Sequence, residues 1–307
     1  MYFKEYLKQC RKKAALTQEQ LVHELYIHDI DIFSALETTT LSKWERGVVT
    51  PHVAKQVSMI RFFQKLTKCA LPCFEEQPVY DIEASICREG IHNLLGKSKK
   101  LILDFPSAVI GVNDLVVYPL RHSPDIDKYL SINIDLDRDF NRNITGLEIS
   151  HFKAWALNPA NQFYICEYNE QFFGLLFTLK LTPEAFEKII HFELSESALT
   201  ENDFASFDEP GCSYIISFFA MNEKAASILF IRYYAHLIAN QNSIGKVGVM
   251  TMMDDGRKLI SNMNLVLEQE TILNDGAVLE SYQSDLYDFL AHERAMKILF
   301  KKEGVVC

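Results

Sequence analysis

The sequence predicts an α+β protein with two domains, an N-terminal all-α domain and a C-terminal mixed α/β sandwich. The chain has 307 residues, more than the roughly 100–200 of a usual single domain. Helical periodicity prevails up to Leu66, whereas from Leu115 short β-type runs alternate with helices. We therefore place a helical domain at 1–70, a linker with one helix at 71–111 and the sandwich at 112–307.

Charge is distributed unevenly along the chain. The net charge of −10 argues against nucleic-acid binding if the chain is taken as a whole. Residues 1–70, however, carry 11 Lys and Arg against 7 Asp and Glu, a net charge of +4, and the remainder carries 20 against 34, a net charge of −14. A basic head on an acidic body is typical of a DNA-binding domain joined to a domain that does not bind DNA.

The helical domain is predicted from apolar positions that recur every three to four residues. Its four helices are Tyr6–Lys13, Gln18–Tyr26, Thr39–Arg46 and Ala54–Leu66. Thr17 can cap the second helix, because its hydroxyl can accept a hydrogen bond from an amide of the first turn. The next connection is longer than the usual 2–8 residues, so we expect residues 26–37 either to lengthen the second helix or to add a turn.

The rest of the chain is predicted from breakers and from changes of period. Two prolines between Lys68 and Pro78 predict the start of the linker, and Asp81–Leu95 has the pattern of one amphipathic helix that could support dimerisation.

The sandwich is predicted to contain strands and helices in the following order: strand Leu115–Leu120, helices Ser123–Leu130 and Ile149–Ala156, a hairpin of Gln162–Glu167 and Phe172–Leu181 turning at Asn169, helix Pro183–Phe192, strand Ser213–Met221, helix Lys224–Asn240, strand Val247–Met252, helix Asp255–Asn262, strand Leu265–Gln269 and the closing segments Tyr282–Phe289 and Ala291–Phe300.

Two blocks of the helical domain resemble a known family. Leu16-Thr17-Gln18-Glu19-Gln20-Leu21 and Ser42-Lys43-Trp44-Glu45-Arg46-Gly47 are similar to the helix-turn-helix of phage-repressor-like (XRE/Cro) transcription regulators. The resemblance implies that a homodimer binds double-stranded DNA at paired half-sites. The residues that it places toward DNA are Gln18, Thr38, Thr39, Ser42, Lys43 and Arg46. It also implies an internal ion pair of Arg11 with Glu45, which we assign to the fold rather than to base recognition.

The order of elements from Leu115 to Phe300 resembles the GNAT acetyltransferase family. Val116–Leu130 is similar to the family's first strand and helix, and Phe152–Cys166 is similar to its second helix and second strand. Asp255–Leu265 is similar to its late helix-to-strand corner. The resemblance therefore implies a GNAT-like fold for the sandwich.

The catalytic chemistry of that family requires a glycine-rich turn after the fourth strand, where backbone amides of the next helix hold the acetyl-CoA pyrophosphate. The corresponding turn here contains no glycine, and the carboxylate of Glu223 lies where a diphosphate would be. The residues of this degenerate turn are Met221, Asn222, Glu223, Lys224 and Ala225. Ile260 replaces the family's acidic tyrosine, and isoleucine cannot transfer a proton. We therefore expect a domain without catalysis and without a cofactor.

These points together predict a transcription regulator that binds specific DNA sequences. Its C-terminal domain would sense an unknown small-molecule effector or mediate dimerisation. Two alternatives stay open, an active acyl-CoA-dependent N-acyltransferase with a DNA-binding head and a protein-interaction module with an empty cleft.

The sequence also bears on metal binding and location. Cys69 and Cys73 are four residues apart, but no second pair of cysteines accompanies them, so we predict no metal site. Because the chain has neither a run of ~18 apolar residues nor a secretory signal, we expect a cytoplasmic protein without membrane partners.

Overall fold

The computed structural model describes residues 1–75, 77–96, 101–103, 110–111, 114–141 and 146–301. The chain forms two units. Unit 1 comprises residues 1–93, 233–241 and 286–307, and unit 2 comprises residues 94–232 and 242–285. In the described part of the chain, no helix combines the length and the apolar character needed to cross a membrane.

The helices are α1 (Phe3–Lys13), α2 (Gln18–His28), α3 (Ile30–Phe33), α4 (Thr38–Arg46), α5 (Val53–Thr67), α6 (Val79–Ser85), α7 (Arg88–Leu95), α8 (Ile126–Asn141), α9 (Ile149–Leu157), α10 (Pro183–Ile190), α11 (Glu223–Ala239), α12 (Asp254–Asn262), α13 (Leu286–Leu290) and α14 (Glu293–Leu299). The strands are β1 (Leu115–Pro119), β2 (Gln162–Tyr168), β3 (Gln171–Leu181), β4 (Gly211–Ala220), β5 (Ile244–Thr251), β6 (Val266–Ile272) and β7 (Val278–Asp285). The protein is thus a mixed α+β protein whose described strands form a mixed sheet.

The first part of unit 1 contains the predicted helices and one more. Residues 26–37 both lengthen α2 and form the short helix α3. Asp29 caps α3 through its Oδ1, which accepts a hydrogen bond from the amide of Ile32 at 3.2 Å, while its Oδ2 accepts one from the Ser58 hydroxyl at 3.0 Å. Phe33 is 1% exposed. Burial of this side chain and the bond to Ser58 hold the insert against α5.

The segment that follows α5 is not the linker that its prolines predict. Leu71 is fully buried, and its amide donates to the side-chain Oε1 of Gln241 at 2.5 Å. The carbonyl of Ala70 accepts from Gln64 Nε2 at 3.0 Å. Residues 71–93 belong to unit 1, together with the chain's closing helices. The units therefore do not follow the boundaries 1–70, 71–111 and 112–307, because distant segments complete the same core.

The single helix predicted at Asp81–Leu95 is two helices, α6 and α7. The chain leaves helical geometry at Ile86, and the amide of Cys87 donates to the carbonyl of Ile298 at 2.8 Å. Gly90 then lies so close to α14 that a Cβ atom at this position would be 2.1 Å from the carbonyl oxygen of Lys297. Packing against α14, which is remote in sequence, interrupts the helix that local periodicity predicts.

Unit 2 is built on a seven-stranded sheet with the strand order β1-β2-β3-β4-β5-β7-β6. The pairing of β4 with β5 is parallel, and the other described pairings are antiparallel. The predicted hairpin is present as β2 and β3. Asn169 and Glu170 form its turn with φ angles of 48° and 63°, a conformation that two-residue hairpin turns require.

An aromatic core lies under the first strands of this sheet. Phe163 of β2 and Phe177 of β3 stack with their ring centroids 4.4 Å apart, and Phe152 of α9 lies 6.3 Å from Phe177. Phe186 of α10 is fully buried in the same cluster. α8 is longer than the predicted helix Ser123–Leu130, and the predicted closing segment Tyr282–Phe289 comprises the end of β7 and most of α13. This core supports the face of the sheet on which α8 and α9 lie.

Candidate functional site

A cleft opens in unit 2 where the parallel strands β4 and β5 separate. Their paired residues end at Ile215 and Val249, although β4 continues to Ala220 and β5 to Thr251. β4 also has a bulge against β3, with Ile216 as its extra residue. A bulge bends its strand and increases the local twist, so the two strands diverge and leave space between them.

This cleft has a volume of about 110 Å³. Most of its walls are apolar, with Phe218 and Phe230 in edge-to-face contact at 4.9 Å between ring centroids. Other apolar walls come from β5 and α12. Narrow apolar clefts with a few polar groups are typical small-molecule sites. The polar side chains that line it are Asn133, Asp137, Ser217 and Thr251.

Two of these polar groups lie on one face of α8. Asn133 and Asp137 are four residues apart, so they share a helical face, and both line the cleft. Asn133 is 2% exposed, and its Nδ2 atom has no hydrogen-bond partner within the described residues. A buried amide without a partner costs free energy, which a bound ligand with an acceptor atom would recover.

A second carboxyl group lies close enough to Asp137 to be affected by its charge. Glu196 is 7% exposed, and its Oε1 accepts a hydrogen bond from the hydroxyl of Tyr214 on β4. Burial raises the pKa of Glu196 to about 7; the Tyr214 bond opposes this rise and the charge of Asp137 adds to it. Glu196 can therefore exchange a proton near neutral pH.

The turn after β4 holds the residues that the sequence analysis described as degenerate. Asn222 precedes α11, and its Oδ1 accepts from the amide of Ala225 at 2.9 Å. Asn222 Nδ2 is buried without a partner in the described structure. The amide of Met221 donates to the carbonyl of Phe173 at 2.8 Å. Ala225 is fully buried, so the first turn of α11 is packed against neighbouring residues and is not preceded by an open, glycine-rich loop.

The charged residues of this turn are Glu223 and Lys224, at the first two positions of α11. Lys224 Nζ donates to the carbonyl of Ile110 at 2.6 Å. Ile260 lies on α12, is 4% exposed and lines the cleft. None of the described residues that line the cleft is a tyrosine.

The structure brings Arg11 and Glu45 of unit 1 together. Arg11 Nε lies 2.5 Å from Glu45 Oε1, and Nη2 lies 2.9 Å from Oε2. Gln18 Nε2 donates to Glu45 Oε2 at 2.7 Å. Gln18, which the sequence analysis placed toward DNA, therefore contacts this ion pair.

The other residues assigned to DNA contact lie on α4. Thr39 Oγ1 donates to Glu37 Oε2 at 3.1 Å, and Arg46 Nε donates to the carbonyl of Ser42 at 3.3 Å. Lys43 is exposed, and Thr38 is half-buried. Both hydrogen bonds join residues of α4 or its N-cap, Glu37, to each other. Neither bond indicates a particular ligand.

Comparison with solved structures finds similarity to acyltransferases. An acetyltransferase from Streptococcus agalactiae 2603 matches 56% of this chain and 98% of its own, at 13% identity and a TM-score of 0.38. FeeM, an N-acyl amino acid synthase from uncultured soil microbes, matches 57% of this chain and 92% of its own, at 11% identity and a TM-score of 0.40. An acetyltransferase from Thermus thermophilus matches 56% and 96%, at 8% identity and a TM-score of 0.33. No protein-family model matches the chain, and no curated protein matches it.

These findings overturn the main functional prediction. The similar structures named here are acyltransferases, and none of them is a transcription regulator. The prediction of a non-catalytic, DNA-binding regulator of the XRE type is therefore wrong. The two short sequence blocks predicted helices and an ion pair, features that do not require DNA binding.

Sequence reasoning also missed the polar groups of the cleft. Asn133 and Asp137 lie in a stretch that has the pattern of an ordinary amphipathic helix, and their spacing of four residues was the only available signal. Glu196 and Tyr214 lie 18 residues apart. Nothing in their local sequence indicates that they meet.

Proposed function

We propose that unit 2 is an acyltransferase of the GNAT type that moves an acyl group from a thioester donor to an amine. The divergence of β4 from β5 carries this proposal, because it creates an apolar cleft at the centre of the sheet. From Ile216 to Phe218, β4 has no β5 partner in the ladder. Its backbone groups on this edge can therefore pair with a bound donor.

The donor's acyl chain would occupy the apolar part of the cleft. Burial of each methylene contributes about 0.8 kcal/mol, so the walls favour an alkyl chain over a charged group. The phosphate-bearing arm of the donor would lie near the start of α11, where helix amides favour anions. Glu223 opposes an anion there, and we expect weaker binding of this arm than a glycine-rich turn would provide.

The transfer step needs a base close to the acceptor amine. We assign this role to Asp137, the carboxylate that lines the cleft. The amine nitrogen forms a bond with the thioester carbon, its proton passes to the carboxylate, and the carbon–sulfur bond breaks to release a thiolate. Solvent protonates the thiolate, since Ile260 cannot.

A thiol-release assay with acyl-CoA donors of increasing chain length tests the proposal. One similar protein is an N-acyl amino acid synthase, so the acceptor panel includes amino acids beside simple amines. We expect release that depends on the acceptor, and a fall of about 10²–10⁴-fold in Asp137→Asn, the usual contribution of a positioned base.

Asp139→Asn is the matched control, because Asp139 is an exposed residue on the same helix and should leave the rate unchanged. Absence of release with every donor and acceptor would contradict the proposal. Equal losses in the two variants would remove Asp137 from the base role.

A further inference from the structure

Unit 1 contains a second cavity, of about 260 Å³. Its apolar wall is formed by side chains from the first helix, the α4–α5 region and the last helix. Trp44, Met296 and Phe300 are at most 5% exposed and line this wall with Phe3 and Pro51. A lining of this kind is suited to an alkyl chain.

The same cavity carries excess positive charge. Among the described residues, Lys4, Lys297 and Lys301 line it, and Glu89 is the one carboxylate in the lining. A lysine ammonium beside a low-dielectric wall attracts an anion more strongly than it would in bulk water. The cavity thus combines an apolar wall with a cationic rim.

We propose that this cavity binds an acyl chain that ends in a carboxylate. The chain would lie along Trp44 and Phe300, and the carboxylate would pair with the ammonium groups of Lys297 and Lys301. An alkylammonium ion would meet like charges at the same rim, and a neutral alcohol would lack the charge-assisted hydrogen bonds. The inference uses residues of unit 1 alone and does not depend on acyl transfer by unit 2.

Two sources share this chemistry, free fatty acids and acyl chains attached to an amino acid. Decanoate and N-decanoylglycine represent them, each used below its micelle concentration. Preference for one of the two identifies the source, and saturable binding of either supports the site.

The chain provides its own reporter, because it contains two tryptophans. Trp44 lines the cavity, whereas Trp155 belongs to the core of unit 2. The variant Trp155→Phe therefore leaves Trp44 as the single source of tryptophan fluorescence. We titrate this variant with decanoate, decanol and decyltrimethylammonium.

We expect a saturable change of emission with decanoate, with an affinity about tenfold higher than for decanol and no saturation with the ammonium compound. Lys297→Gln/Lys301→Gln should lower decanoate affinity about tenfold and leave decanol affinity unchanged. Lys8→Gln/Lys12→Gln, which removes two exposed lysines of α1, is the matched control and should change neither.

Thermal melting of the otherwise unaltered chain gives a second measurement if Trp155→Phe does not fold. Decanoate should raise the melting temperature in proportion to the logarithm of its concentration once saturating, and Lys297→Gln/Lys301→Gln should reduce this rise. Equal affinity for decanoate and decanol, no saturable response, or the same loss in both lysine pairs would overturn the proposal.

Discussion

Glu196→Gln should change how the stability of unit 2 depends on pH. The folded protein holds the pKa of Glu196 at about 7 against an ordinary value of 4.5, first because the carboxyl is buried. The folded state therefore binds a proton more tightly than the unfolded state does. Stability from this group is fully present below pH 4.5 and is lost as the pH rises through 7.

The size of this loss follows from the two pKa values. At about 1.4 kcal/mol per pH unit, the interval from 4.5 to about 7 corresponds to about 3 kcal/mol, most of it between pH 5 and pH 8. Glutamine has a similar shape and keeps an oxygen that accepts from Tyr214, but it does not ionise. The wild-type protein should therefore lose stability relative to Glu196→Gln as the pH rises.

Urea unfolding of both proteins at pH 5 and pH 8 measures this difference. The gap between variant and wild type should be about 2.5 kcal/mol more favourable to the variant at pH 8 than at pH 5, or roughly 8 °C in melting temperature for a unit of this size. Glu201→Gln, at an exposed neighbouring position, should show no such change. A gap that stays constant between the two pH values would refute the reasoning.

Two further predictions concern unit 1. Burial alone would raise the pKa of Glu45, but the hydrogen bonds from Arg11 and Gln18 outweigh it and lower the pKa, so this pair should stabilise the fold above pH 4.5 and lose its effect in acid. Glu45→Ala leaves the guanidinium of Arg11, 14% exposed, without its carboxylate partner and should cost up to about 3 kcal/mol in urea unfolding at neutral pH; a variant as stable as wild type would contradict this. Diamide should convert the thiols of Cys10 and Cys73, whose Sγ atoms lie 2.9 Å apart, into a disulfide with loss of two hydrogens. Mass spectrometry of the linked peptides checks this, and a product linking other cysteines in the same yield would be inconsistent with it.

Local features of the molecule were readable from the sequence. Thr17 caps α2, with its Oγ1 accepting from the amide of Gln20 at 3.1 Å, as its position before an apolar-periodic run predicts. The β2–β3 hairpin turns at Asn169, and unit 2 contains the mixed sheet that the alternation of strands with helices predicts. These features depend on interactions within a few residues, or on which face of a strand is apolar.

Short motifs were less informative about function. The blocks around Gln18 and Glu45 predicted helices correctly, yet the contact between these two side chains shows that the same residues stabilise the fold. A motif records which side chains are present and at what spacing, and it does not record whether they face the interior or a ligand. The similarity to acyltransferases contradicts the family-based functional interpretation of unit 1.

The sites themselves depend on residues that are remote in sequence. Separation of β4 from β5 after Ile215 follows from strand register and a bulge, and the meeting of Glu196 with Tyr214 follows from the packing of a short turn against the sheet. The sequence by itself determined the four main helices before residue 68, the β2–β3 hairpin and the alternation of strands with helices after Leu115, since those arise from local periodicity and capping. Only the tertiary structure decided where the cavities lie and which carboxyls are buried, because burial and its effect on pKa depend on all the segments that pack around a group.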